Sequence, residues 1–121
     1  MDVAVVGSRG FRQLDIVERW MSQNWREDWH LISGGAVGVD RLVDRFAAAN
    51  GDSPEIIVPP WLEFPAEKYG KDYAPKMRNR MIVAKCHMLV AFWDGRSTGT
   101  AHTIAWAAAT GKPTRIIMET E

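Results

Sequence analysis

The chain has one cysteine, Cys86. No internal disulfide can form, a cysteine-based metal site is not expected, and the usage fits a reducing compartment. No apolar run approaches the roughly 20 residues that cross a bilayer. The opening "MDVAVVGS" enters a strand at once with no basic leader, so no signal peptide is expected. The chain reads as soluble and cytoplasmic, with no membrane partner. An excess of either charge is also lacking: Lys plus Arg is 15 and Asp plus Glu is 15, a formal net charge of zero. An obligate nucleic-acid binder draws its affinity from a basic surface, so nucleic acid is not an expected partner. A local basic pocket for a small anion stays open. His87 and His102 have no partners at metal-ligand spacing, so no metal is expected. There is no internal repeat, linker or low-complexity segment.

What is present is a globular composition. The 121 residues, 46% of them hydrophobic, fit a single domain over 1–121 with a real core. Short β-rich runs alternate with helical spacing. "VAVVG" reads as a buried strand and "HLISGG" as a second. "EIIVPP" reads as a third, "HMLVAFW" as a fourth and "TRIIM" as a fifth. Between them, "LDIVERWMSQNW" places Leu14, Val17, Met21 and Trp25 at helical spacing. "VDRLVDRFAAAN" places Val39, Leu42, Val43, Phe46 and Ala47 on one face, with Asn50-Gly51 as a stop. "PKMRNRMIVAK" opens on a proline suited to a first turn, with Met77, Met81 and Ala84 on one face. The last helix, "TAHTIAWAAATGKP", turns Ala101, Ile104, Ala105 and Ala108 inward. This alternation predicts an α/β fold, a Rossmann-like three-layer sandwich on an open, mostly parallel five-stranded sheet. One long irregular stretch, Pro59 to Ala74, interrupts it; loops of that length tend to be functional or mobile.

In such sheets ligands bind beyond the carboxyl ends of the strands. Four segments fall there. The first is Gly7-Ser8-Arg9-Gly10. The second is Ser33-Gly34-Gly35-Ala36-Val37-Gly38, followed by Asp40. The third is the Pro/Trp loop leading to Arg78 and Asn79. The fourth is Asp94-Gly95-Arg96-Ser97-Thr98-Gly99-Thr100. Glycine lets backbone amides approach an anion, and a helix N-terminus adds partial positive charge. Arg9 and Arg78 suit forked contacts to a phosphate or carboxylate. Each feature also has a plainer role. The paired glycines can be a tight turn, Ser97, Thr98 or Thr100 a helix cap, Asp40 a partner for its helix dipole, and Arg78 a solvated charge. Neither "GSRGF" nor "SGGAVG" is a P-loop or GxGxxG, so no cofactor follows from them. Trp61 and Trp93 are candidates for stacking on a base, whereas Trp20, Trp25 and Trp29 read as core or interface. Cys86 reads as a small buried hydrophobe.

Taken in order, "GSR", "SGGAVGVD", "RNRM" and "AFWDGRSTGT" resemble the YspA-like branch of the SLOG superfamily, along nearly the whole chain. That superfamily groups DprA (Smf) with the LOG phosphoribohydrolases, and members occur in bacteria and phages. The resemblance implies a Rossmann-like pocket for a nucleotide or nucleotide-derived ligand. It assigns that pocket Gly7, Ser8 and Arg9; Ser33, Gly34, Gly35, Gly38 and Asp40; Arg78 and Asn79; and Asp94, Ser97, Gly99 and Thr100. LOG enzymes carry PGGxGTxxE, with a catalytic glutamate three residues after the threonine. Here Gly99-Thr100 matches the GT, and Thr103 stands at the glutamate position. Threonine cannot do the work of a carboxylate at an oxocarbenium-like centre, so LOG-type hydrolysis is not expected. If the pocket is catalytic, Asp94 and Asp40 are the candidates, Asp94 first. Binding of a nucleotide-type ligand is thus the leading expectation, nucleotide hydrolysis the second, and DprA-like DNA binding the third. SLOG relatives commonly pair, which leaves a homo-oligomer open.

Overall fold

The structure, a computed structural model, describes residues 1–120. Its elements run β1 (Asp2–Gly7), α1 (Leu14–Asn24), β2 (His30–Ser33), α2 (Val39–Ala49), β3 (Glu55–Ile56), α3 (Ala66–Tyr69), α4 (Tyr73–Lys85), β4 (Met88–Trp93), α5 (Thr98–Ala109) and β5 (Thr114–Met118). Every pairing is parallel, and the strands lie in the order β3-β2-β1-β4-β5. The chain steps outward from β1 to β3, then returns to the other side of β1 for β4 and β5. The fold is therefore a Rossmann-like α/β sandwich, and its strand order reverses between β1 and β4.

Side chains alternate across the central strands, which explains their unbroken apolar runs. Val3 and Val5 of β1 and Val90 and Phe92 of β4 face α1 and α2. Ala4 and Val6, with Leu89 and Ala91, face α4 and α5. The first face is bulky. Phe92 is fully buried and meets Phe11 and Trp20 edge-on, at 5.7 and 6.0 Å between ring centres. Trp29 is buried and meets Trp25 edge-on at 5.4 Å, so the N-terminal tryptophans belong to or border this core. Cys86 is buried on the second face, where its thiol donates to the Val83 carbonyl.

Several expected details differ. The third strand pairs only over Glu55–Ile56, because the prolines at 59 and 60 end it and it lies at the sheet edge. In α4 the buried positions are Ala74, Ile82 and Val83, not Met77, Met81 and Ala84. Half-buried Arg78 lies on the same stripe, between Ala74 and Ile82. In α5 the buried residues are Thr100, Thr103 and Ala107; Ala105 and Ala108 are exposed. Both helices turn polar groups inward, and the reason lies at their N-terminal ends. The irregular stretch after β3 contains the short helix α3, and α4 begins at Tyr73, ahead of Pro75. Among the described residues no helix is long and apolar enough to cross a membrane.

Candidate functional site

The site forms where β1 and β4 end side by side. Ser8 extends the ladder beyond β1, its amide donating to the Phe92 carbonyl at 3.0 Å. Its hydroxyl donates to the Thr100 hydroxyl at 3.1 Å and accepts from the Asp94 amide at 3.3 Å. One serine thus fixes the β1 loop against both the β4 loop and the start of α5. Gly7 allows α2 to close over this end: a Cβ there would stand 2.6 Å from both γ-carbons of Val39.

Helix α5 points its N-terminus into the same place. Ser97 is the N-cap, its Oγ accepting from the Thr100 amide at 3.4 Å. The helix start carries partial positive charge. Thr103 is 1% exposed and satisfies its hydroxyl on the Gly99 carbonyl at 2.9 Å.

The β2 loop supplies the opposite wall. The Ala36 amide donates to Asp40 Oδ2 at 3.1 Å. Arg78 reaches across from α4 and donates to the Gly34 carbonyl at 3.2 Å and to Asn79 Oδ1 at 2.9 Å. Burial pulls the Arg78 pKa below its ordinary value; Asp40 opposes that and the nearby Arg9 adds to it. A guanidinium keeps its proton regardless. Asp40 is only 7% exposed, and burial pushes its carboxyl up to about 6 against the pull of the Ala36 amide and of Arg78. The Gly34 amide adds a weaker pull without closing a hydrogen bond, and Asp40 Oδ1 has no partner among the described residues.

These walls line an open-mouthed cavity of about 260 Å³. Of the residues read from the sequence, Gly7, Ser8, Arg9, Gly34, Asp40, Arg78, Asn79, Ser97, Gly99 and Thr100 line it. Others stand outside. Ser33 is buried behind the wall, where its hydroxyl donates to Asp44 at 2.6 Å. Gly35 and Gly38 shape the loop through positive φ angles of 69° and 92° and do not line the cavity. Trp93 is pinned by its indole N–H, 3.0 Å from the Ser97 carbonyl, and Trp61 is 43% exposed on the long loop. Neither tryptophan lines the cavity.

Asp94, the first candidate for a catalytic carboxylate, is engaged in its own turn beside the cavity. Its Oδ1 accepts from the Ser97 amide at 2.8 Å and the Arg96 amide at 2.9 Å, and its other oxygen lies against Gly10. Those amide bonds, Ser97 first, hold its pKa below the ordinary carboxylate value. Asp94 is a turn-former outside the cavity lining, and Asp40 is the acidic residue that lines it.

Gly10 and Ala36, within the loops placed at this edge by sequence, also line the cavity, and the lining residues that sequence reading missed are Val6, Pro75, Ile82 and Thr103. Thr103 had a signal in its position on α5, one turn after Gly99. A second space of about 340 Å³ adjoins the first, sharing Pro75, Asn79 and Gly99 and continuing to Lys76 and His102. Among the described residues no group of three or more His, Cys, Asp or Glu side chains could hold a metal ion. No family model, no curated protein and no solved structure matches the chain.

Proposed function

We propose that the chain binds a nucleotide or nucleotide-derived small molecule in the cavity at the carboxyl edge of its sheet. The observation that carries this is convergence. The β1 loop with Arg9, the N-terminus of α5 and the Arg78 guanidinium all border one cleft. Hydroxyls, backbone amides and guanidinium groups together suit a phosphate. The adjoining space leaves room for a ligand longer than a bare anion. The SLOG resemblance rests on these same loops and points to the same ligand class; pairing of copies and a cytoplasmic setting belong to that reading.

The test is thermal stabilisation and calorimetric titration with AMP, GMP, CMP and UMP. At a hundredfold excess over Kd a specific ligand adds about 2.7 kcal/mol of stability, a shift easily seen in a melt. That gain should be lost in Arg78→Ala. Silence from every nucleotide overturns the proposal.

A specific observation also favours hydrolysis as a second reading. Asp40, a buried carboxyl with a pKa near 6, is suited to moving a proton. Release of free base or phosphate from a nucleotide, abolished in Asp40→Asn, would establish it. The LOG route is not part of this reading, since Thr103 offers no carboxylate.

A further inference from the structure

Asp40 is built unlike the rest of the cavity wall. Arg9, Ser97 and Thr100 present donors or positive charge, and Asp40 presents an acceptor. Its Oδ2 is occupied by the Ala36 amide, and its Oδ1 has no partner among the described residues. Arg78 lies near enough to influence it but forms no ion pair with it; the guanidinium is held by Gly34 and Asn79 instead. A buried carboxylate oxygen without a donor is expensive, and native proteins keep few of them. This oxygen is sealed from solvent while the carboxyl group borders the cavity, so a small turn of the side chain would bring it to a donor on the ligand.

The two walls therefore ask for a two-ended molecule, anionic at one end and hydrogen-bond-donating at the other. A phosphorylated ribose has both, in its phosphate and its ring hydroxyls. Resting on the ligand class proposed above, we infer that Asp40 is the specificity-determining residue: its carboxylate, which lines the cavity, accepts a hydrogen bond from a ribose hydroxyl of a ligand whose phosphate sits at the β1 loop and the α5 N-terminus. A deoxyribose ligand that lacks this hydroxyl leaves the oxygen unpaired and binds more weakly.

The charged groups around Asp40 set how this varies with pH. Arg78 faces it from α4, Asp44 lies further along α2, and Arg9 from the β1 loop faces Arg78. Asp40 accepts fully only when ionised, so hydroxyl discrimination grows as pH rises through about 6.

The experiment is calorimetric titration of AMP, 2′-deoxy-AMP, 3′-deoxy-AMP and inorganic phosphate into the intact chain at pH 5 and pH 7.5. At pH 7.5 AMP should bind about tenfold to a hundredfold more tightly than the analogue lacking the recognised hydroxyl, the usual worth of a hydrogen bond to a charged group. The ratio should shrink at pH 5; comparing AMP with its own deoxy analogues cancels the titration of the phosphate. Asp40→Ala, with its fold checked by circular dichroism, should bind all three nucleotides within about threefold. Equal binding of the three by the wild-type chain overturns the inference while leaving the cavity reading intact. So does discrimination that survives in Asp40→Ala or grows at pH 5. Silence from all three nucleotides and from phosphate overturns the inference and the cavity reading together.

Discussion

Two glycines at the cavity should respond to alanine in opposite ways. At Gly34, an added Cβ would lie 2.9 Å from Arg78 Nη1, 3.1 Å from its Cζ and 3.1 Å from Asp40 Oδ2. The near atoms are mostly the end of a flexible side chain, so Arg78 can swing away. That breaks its hydrogen bond to the Gly34 carbonyl and moves its charge from the cavity. The fold loses one partly exposed hydrogen bond, of about 1 kcal/mol. Replacing glycine returns roughly 0.4–1 kcal/mol by restricting the unfolded chain. Stability should therefore be close to unchanged. Affinity should fall by the worth of a charge-assisted contact, about 1.5–3 kcal/mol, or tenfold to a hundredfold in Kd.

At Gly7 the clash is with Val39, 2.6 Å from both of its γ-carbons, in the first turn of α2. A β-branched side chain on a packed helix has no comparable escape. Overpacking of this kind costs about 1–3 kcal/mol, or roughly 4 °C in Tm per kcal/mol at this chain length. The assay is a thermal melt of both variants with AMP calorimetry beside it. If Gly34→Ala melts as low as Gly7→Ala, or keeps wild-type affinity, the placement of Arg78 against Gly34 is wrong.

Further outcomes follow from the other groups. Because Asp40 titrates near 6 in the fold against 3.8 ordinarily, the folded state holds the extra proton between those values. Stability attributable to it therefore falls as pH rises from about 4 to 6, by on the order of 2–3 kcal/mol. Asp40→Asn should then melt higher than wild type above pH 6, with the gain fading toward pH 4; a gain that grows toward acid contradicts this. Asp94→Ala, which loses the bonds to the Ser97 and Arg96 amides, should cost about 1 kcal/mol in a urea melt. Any nucleotide hydrolysis should persist in that variant, and its loss would return Asp94 to the chemistry. Phe92→Ala removes a fully buried ring between Phe11 and Trp20 and should cost about 3–5 kcal/mol in the same melt; a loss below 1 kcal/mol would contradict the core described.

The sheet was legible because its central strands are apolar on both faces. "VAVVG" and "MLVAFW" can be little else, and the helical spacing between them forces parallel connections. The inward face of α2 was legible too, since Val39, Val43 and Ala47 are buried as their spacing implies. The inward faces of α4 and α5 were not. Reading them by hydropathy selects Met81 and Ala105, whereas Arg78, Thr100 and Thr103 occupy the positions turned toward the cavity. A binding site places polar residues where periodicity expects apolar ones, so the misreading falls at the site itself. The choice between Asp40 and Asp94 was hidden for another reason. Both follow a strand in a glycine-rich loop, and only the folded backbone shows which carboxylate caps its own turn and which is left short of a donor.

An amide-resolved NMR titration of the chain with AMP tests the central claim most directly. The largest shifts are expected at Ser8–Gly10, Gly34–Ala36 and Ser97–Thr100, saturating together with one Kd. Shifts confined to the groove between α1 and α2, lined by Leu14, Leu42 and Phe46, would contradict it, as would no shift at millimolar AMP.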